Sequence, residues 1–292
     1  MGYEMKHRTL TSILTAFLFA GCCWAADLRL PEKAIAGQGV SIATSGSGSA
    51  TLYVVGPGTA IKRDIQLGGE VQLKGEELRN AGYYQIAIKG GDGDSSKELY
   101  VAPAAAEKIN FLARPSRVPV GQPKVIAGTA FIFDQYENLV TIPTPVTFNL
   151  SVPGSATRSE RAIAKDGFAY LQTGSGSKAG AGQFVVTVGD NSVRRVVEET
   201  ASEPCNLRFK VHKEKDGLIA ETDPVRDCSG NAVPDGTIVT FISSEPGQGR
   251  STVDARIKKG VARALLPAVP GTTISVASGV VLGNEVRWGG GE

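Results

Sequence analysis

Val225-Arg226-Asp227-Cys228-Ser229-Gly230-Asn231-Ala232-Val233-Pro234-Asp235-Gly236-Thr237-Ile238-Val239-Thr240-Phe241 repeats an earlier stretch of the same chain. The counterpart is Ile132-Phe133-Asp134-Gln135-Tyr136-Glu137-Asn138-Leu139-Val140-Thr141-Ile142-Pro143-Thr144-Pro145-Val146-Thr147-Phe148. Asp134, Asn138, Val146, Phe148, Gly167 and Ala169 recur at Asp227, Asn231, Val239, Phe241, Gly260 and Ala262, always 93 positions later (227 − 134 = 93). The offset then drops to 89 at Gly182 and Gly271, as a small loop deletion would produce. A fixed offset over several positions with one indel marks a duplicated domain.

Within each copy the pattern is β. Val146 and Phe148, like Val239 and Phe241, are two apart, so they share one strand face and are expected to enter a core. Asp and Asn with Gly suit the tight turn that precedes them. Glu137 stands where the later copy has Gly230, so a different turn is expected in the earlier copy. Gly167 or Gly260 followed by a small Ala suits the close start of a strand. Outside the repeat the chain is rich in Gly, Val, Thr and Ser, in short alternating runs broken by turn signals. Helical periodicity is absent.

The expected fold class is therefore all-β, in tandem immunoglobulin-like Greek-key sandwiches. About 265 mature residues at roughly 100 per sandwich allow two or three domains. The expected boundaries are 26–102, 107–200 and 204–289, after a signal segment at 1–25. Val101-Ala102-Pro103-Ala104-Ala105-Ala106 reads as the first linker, and Glu198-Glu199-Thr200-Ala201-Ser202-Glu203-Pro204 as the second. Short linkers predict a semi-rigid stack. In the first domain, strands are expected at 40–43, 51–55, 70–73, 83–88 and 98–101.

The start of the chain reads as an export signal. Lys6, His7 and Arg8 form a basic cluster, and the apolar run from Leu10 to Ala20 is too short to span a bilayer. Cys23-Trp24-Ala25 followed by Ala26 fits a cleavage site. Leu18-Phe19-Ala20-Gly21-Cys22 fits a lipobox with Cys22 as the lipidated residue, which makes a lipid anchor the one expected membrane contact. Both readings predict export to the periplasm, the cell surface or the medium.

Composition narrows the chemistry. The chain carries 31 Lys and Arg against 29 Asp and Glu, with no basic stripe of the kind nucleic-acid binding needs. His212 is the only histidine after the signal, and its alternating charged surroundings read as a solvated strand. Triads and multi-histidine metal sites need more imidazole than this. No catalytic residue and no cofactor is therefore expected. Asp92, Asp94 and Ser95 read as a polar hairpin turn, since a calcium loop of this type needs a distal Glu. The Gly- and Ser-rich run 174–182 reads as a mobile connecting loop. Trp288 either packs on the end of the last domain or serves as an exposed contact.

Two resemblances follow from these residues. Asn80-x-Gly82-x-Tyr84-x-Ile86 resembles the immunoglobulin tyrosine corner, with Tyr84 returning its hydroxyl to nearby backbone and Ile86 where that pattern has cysteine. Residues 107–289 resemble the bacterial immunoglobulin-like domains of the invasin and intimin type, on the motif residues quoted above with Asp166-Gly167 and Pro270-Gly271-Thr272. The resemblance implies rigid extracellular sandwiches that present or space an adhesive function. The expected role is a non-catalytic envelope protein for adhesion, scaffolding or spacing. The expected partner is a protein or glycan in the envelope or on another cell. The alternative is a carbohydrate-binding or envelope-assembly accessory module, with Tyr53, Tyr83, Tyr84 and Tyr100 as the available aromatics.

Cys205 and Cys228 are the only cysteines after the signal. Asp216-Gly217 reads as the two-residue turn of a hairpin between them. That register would place Cys205 opposite Cys228, with Pro224 breaking the ladder nearby. Export to an oxidising compartment then predicts a disulfide.

Overall fold

A computed structural model describes residues 26–91 and 93–289. The signal segment, its cleavage site and Cys22 lie outside the described residues, as does Asp92. The chain divides after Ala102 into two compact units, and each is described by itself.

The first unit holds one sandwich. Its strands are β1 (Asp27–Arg29), β2 (Ala34–Ile35), β3 (Val40–Ser45), β4 (Ser49–Gly56), β5 (Thr59–Gln66), β6 (Glu70–Leu73), β7 (Gly82–Gly90) and β8 (Ser95–Ala102). One sheet runs β2-β8-β7-β4-β5 and the other β1-β3-β6. Alternation decides which side chains turn inward. Leu52, Val54, Tyr84, Ile86, Ile88, Leu99 and Val101 bury from the larger sheet against Leu28, Ile42 and Leu73 from the smaller. Short β1 and β2 and the charged β5 escape the sequence reading, because none shows an apolar alternation of its own. Strand β2 pairs parallel to β8, Ala34 opposite Val101, so the first and last strands of this sheet run in one direction. Tyr84 is fully buried, and its hydroxyl donates to Asn80 O at 2.9 Å. Burial pushes its phenol pKa up, against the hydrogen bonds it makes. Gly56 lies under the ring, where an added Cβ would come within 2.3 Å of it.

The second unit contains both copies of the repeat, each around its own core. The earlier copy has β9 (Lys108–Arg114), β10 (Arg117–Pro119), β11 (Ile126–Phe133), β12 (Thr144–Ser151), β13 (Arg158–Ala164), β14 (Phe168–Thr173), β15 (Gly180–Val188) and β16 (Asn191–Thr200). Its sheets run β10-β16-β15-β12-β13 and β14-β11-β9. Val146 and Phe148 are buried, and the Phe148 ring meets Phe111 and Phe184 in one aromatic cluster. Burying a side chain of this size contributes about 1.5–3 kcal/mol. Strand β10 runs parallel to β16, as β2 does to β8.

The later copy has β17 (Pro204–Cys205), β18 (Phe209–Glu214), β19 (Gly217–Thr222), β20 (Arg226–Asp227), β21 (Ile238–Ser244), β22 (Arg250–Arg256), β23 (Arg263–Leu266), β24 (Thr273–Ser278) and β25 (Val281–Arg287). The sheets run β22-β21-β24-β25 and β18-β19-β23, with β17 paired to β20. Phe209 and Phe241 meet edge to face at 5.6 Å in the core. Trp288 packs against this core. The strand that is continuous as β11 is split here into β19 and β20 around Pro224, which has no N–H to give a ladder. Its counterpart is Phe131, inside β11.

The register corrects three expectations. Glu214 pairs with Gly217, so the hairpin turn is Lys215-Asp216, and Cys205 faces Arg226 rather than Cys228. Gly217 supplies an extended backbone of φ 158° at the first position of β19, where a Cβ would sit 2.6 Å from Leu266 O. Phe148 pairs with Val186 and Phe241 with Val276, so the late strands correspond at an offset of 90. Gly182 therefore matches Thr272 and not Gly271. Finally, Gly167 and Gly260 serve primed hairpin turns rather than close strand starts. Asp166-Gly167 has φ of 52° and 87°, and Lys259-Gly260 has 51° and 84°.

Candidate functional site

The repeated Asp and Asn build a joint. Asp227 is 4% exposed. Its Oδ1 accepts from Ser229 N (2.9 Å) and Asn231 N (2.8 Å), which closes the turn after β20. Its Oδ2 accepts from Asn231 Nδ2 (2.9 Å) and from Ser202 N (3.1 Å) in the linker. One carboxylate thus ties the turn to the incoming chain. Burial alone would raise the Asp227 pKa, but the donors from Asn231, Ser202 and Ser229 outweigh it and hold the carboxyl below its usual range. Asp134 ties turn to incoming chain in the same way in the earlier copy. It takes Tyr136 N and Asn138 N on Oδ1 and Ala104 N on Oδ2, all at 2.9 Å.

The turn above Asp134 does not differ from its counterpart, contrary to the sequence expectation. Glu137 adopts φ 70° where Gly230 has 83°, and both N–H groups bond back to the Asp carbonyl. The surrounding bonds force a left-handed conformation that a side chain disfavours. Glu137→Gly is expected to stabilise this copy by about 0.5–1 kcal/mol. Its exposed pair with Lys108 contributes little against that. Chemical denaturation of the two proteins checks it. An unchanged or lower midpoint would contradict the strain argument.

Asn231 also reaches across to the earlier copy. Its Oδ1 accepts from Ala179 N (2.9 Å), and its Nδ2 donates to Ser177 O (2.8 Å). Both partners lie in the Gly- and Ser-rich run that reads from sequence as a mobile connector. The structure fastens that run instead. Ser175 Oγ donates to Pro119 O, Gln122 N donates to Ser175 Oγ, and Gly176 N donates to Glu199. Glu199 is itself buried and paired with Arg158. Asn231 meets only backbone atoms of this run, at Ser177 and Ala179, so small residues suffice there.

Cys205 and Cys228 form a disulfide with their Cα atoms 4.9 Å apart. The bond forms although Cys205 faces Arg226, not Cys228, across the ladder. Cys228 sits one residue past the end of β20, so the bond reaches diagonally from β17 into the turn that Asp227 also holds.

Two outer faces carry exposed rings. In the first sandwich, Tyr83 and Tyr100 lie opposite each other on β7 and β8, with ring centroids 5.1 Å apart. Tyr83 is 66% exposed, and half-buried Tyr53 lies on the same face. In the earlier repeat copy, Phe131 and Phe168 pair across β11 and β14, with exposed Tyr170 and Leu112 in the next row. Sequence reading missed this second face, since its members come from three strands. His212 stands exposed on β18. Asp94 accepts from Lys89 Nζ and Gly90 N, as a polar turn does. No group of His, Cys, Asp and Glu suited to a metal ion occurs among the described residues.

These sheets and joints define a tandem immunoglobulin-like sandwich protein. Solved structures with the same fold include bacterial adhesins and invasins. FdeC, described as a broadly conserved Escherichia coli adhesin, matches 92% of this chain and 97% of its own at 15% identity and a TM-score of 0.63. InvD of Yersinia pseudotuberculosis matches 90% of this chain and 96% of its own at 12% identity and a TM-score of 0.56. Invasin, described as a bacterial integrin-binding protein, matches 91% of this chain at 12% identity and a TM-score of 0.52, and the match spans 60% of invasin. The chain thus has the fold of the bacterial invasin and adhesin type. No protein-family model and no curated protein matches the sequence.

Proposed function

We propose that this chain is an exported, non-catalytic envelope protein that serves adhesion, with its sandwiches at 26–102, 107–200 and 204–289 acting as scaffold and spacer. The observation that carries the reading is the joint. Asp227 binds Ser202 in the linker while Asn231 clasps Ser177 and Ala179, so the two repeat copies are held at a fixed angle by buried and backbone contacts. A fixed angle suits a protein that positions a surface. The fold shared with FdeC, InvD and invasin supports the same reading. The partner is a protein or glycan on another cell or within the envelope.

The carbohydrate-binding reading has one observation in its favour. Tyr53, Tyr83 and Tyr100 share one outer face, with Tyr83 and Tyr100 exposed. Ring faces open to solvent are what sugar C–H groups stack on.

Beads coated with the mature chain are expected to adhere to whole cells above the level of an unrelated sandwich protein. Protease treatment of those cells should abolish adhesion if the partner is a protein, and glycosidase treatment should do so if it is a glycan. Tyr83→Ala with Tyr100→Ala should reduce adhesion only in the glycan case. Background-level adhesion to both bacterial and host cells would contradict the function.

A further inference from the structure

We propose that the later repeat copy binds the sulfate or phosphate groups of an acidic polysaccharide, in a cleft formed where β22 turns into β23. This deepens the adhesion reading and rests on it for the class of ligand. The cleft has a volume of about 500 Å³ and is lined by Arg256, Lys258, Lys259, Val261 and Arg263. Four of its five lining residues are cations. They reach it from both arms of one tight hairpin, closed by the Lys258–Val261 bridge and turned by Lys259-Gly260.

Among the described residues, Arg263 has an acidic partner and the other three cations have none. Two carboxylates lie nearby, and both are engaged. Asp235 is occupied by backbone, accepting Lys259 N at 2.9 Å and Gly260 N at 3.3 Å. Glu221 pairs with the Arg263 guanidinium. Arg256 donates one N–H to Gly236 O at 3.2 Å, which fixes the direction of its head. The ammonium groups of Lys258 and Lys259 have no acceptor among the described residues. The Arg256 guanidinium and two free ammoniums thus line one concave surface, with Arg263, whose charge Glu221 shares, at its edge. Such an array suits several anionic groups spaced along one ligand.

The duplication shows that the fold does not require this charge. At the offset of 93, Arg256, Lys258, Lys259, Val261 and Arg263 correspond to Ile163, Lys165, Asp166, Phe168 and Tyr170. The earlier copy builds the same hairpin, with the same primed turn, keeping one cation at Lys165 but placing Ile163, Asp166, Phe168 and Tyr170 at the other positions. Three of the four cations, Arg256, Lys259 and Arg263, belong to the later copy alone. No aromatic ring lines the cleft. A single nucleic-acid strand would want rings for its bases to stack on, whereas a polyanionic sugar can be held through its charged groups alone.

The test uses the full mature chain and a fluorescent heparin-derived oligosaccharide, followed by polarisation, with a neutral glucose oligomer of equal length as reference. Binding to the sulfated probe and not to the neutral one is expected, weakening as salt rises. Lys258→Gln with Lys259→Asn removes two charges, and Asn tolerates the left-handed turn. It should weaken binding about tenfold. Lys213→Gln with Lys215→Asn removes the same charge from a different hairpin and should change binding less than about twofold. Equal losses in the two variants would overturn the site, since net charge alone would then govern binding. So would no binding by the unaltered chain. Competition by free sulfate as effective as by the oligosaccharide would overturn the polysaccharide, leaving a simple anion site. Tighter binding to vesicles of anionic lipid, or to single-stranded DNA, would overturn it in favour of those ligands. Cell adhesion that persists in the Lys258/Lys259 variant, without oligosaccharide binding by either protein, would remove this inference and leave the adhesion reading standing. Oligosaccharide binding without cell adhesion would do the reverse.

Discussion

Asp227→Ala is expected to lower the stability of the last sandwich by about 3 kcal/mol, the sum of several lost charged hydrogen bonds less what water recovers. The carboxylate is buried, and the side chain that replaces it accepts nothing. Ser229 N and Asn231 N lose their acceptor inside the turn, and Ser202 N loses its acceptor in the linker. These N–H groups are part-buried, so water recovers only some of what the carboxylate gives them. For a domain of this size the shift in melting temperature should be on the order of 10–20 °C. The same carboxylate gives the stability a pH dependence of definite sign. Its folded pKa lies below the ordinary value of 3.8, so the folded state favours the ionised form. The contribution is fully present above that ordinary value and is lost as pH falls through the lower, folded one. Calorimetry of the parent should therefore show this sandwich weakening below about pH 4. The Ala variant should weaken less steeply there, because it has already lost the group that titrates. An unchanged melting temperature in Asp227→Ala would mean that water reaches these N–H groups and the turn is not closed by the carboxylate.

Loss of the disulfide should cost a similar amount. The bond joins residues 23 apart, and closing a loop of that size stabilises by about 3 kcal/mol on the chain-entropy account. Cys228→Ala, or reductant on the parent, should lower the melting of the last sandwich by several degrees or more. The earlier repeat copy has no cysteine, so a chain cut to residues 107–200 should melt alike with and without reductant. Cys228 is next to Asp227, and both anchor one turn to the start of the domain. The two substitutions should therefore not add: the double variant should lose less than the sum of the singles. Free thiols in exported protein, found by peptide mapping without reduction, would contradict the bond or the oxidising compartment. A bond whose loss costs nothing would mean that the hairpin is already ordered in the unfolded chain.

Much of the fold was legible because β-sandwiches write their inward faces into alternation. Val146, Phe148, Val239 and Phe241 could be placed in cores from spacing alone, and Tyr84 from its neighbours. The joint was only half legible. The Asp and Asn stood out by repetition, but their acceptors and donors are backbone atoms of linker and loop, which carry no residue signature. That is why the Gly- and Ser-rich run read as mobile when it is the surface that Asn231 grips. The hairpin register failed for a related reason. Asp-Gly fits a primed turn by composition, yet Gly217 is needed one place later, where Leu266 O leaves no room for a Cβ. The outer faces failed most completely. Phe131, Phe168 and Tyr170, or Arg256 and Arg263, lie far enough apart in sequence that only the pairing of strands brings them into one patch.

The parallel pairing of β2 with β8, and of β10 with β16, bears on how these sandwiches carry load. A pull on the two ends of either sandwich acts along strands that run in the same direction side by side. It therefore stretches their cross-strand bonds together, in shear, and cannot peel them one at a time. In the earlier repeat copy Arg117, Val118 and Pro119 lie against Glu198, Glu199 and Thr200, and Val120 N extends the grip to Thr200 O. The last sandwich has no such parallel pair among its described strands. Where its linker arrives, at the counterpart of β9 and not of β10, it has a covalent bond between Cys205 and Cys228. Under tension the earlier copy would thus resist by a row of hydrogen bonds that can re-form after slipping, while in the last sandwich the segment 205–228 would stay closed for as long as the surroundings stay oxidising.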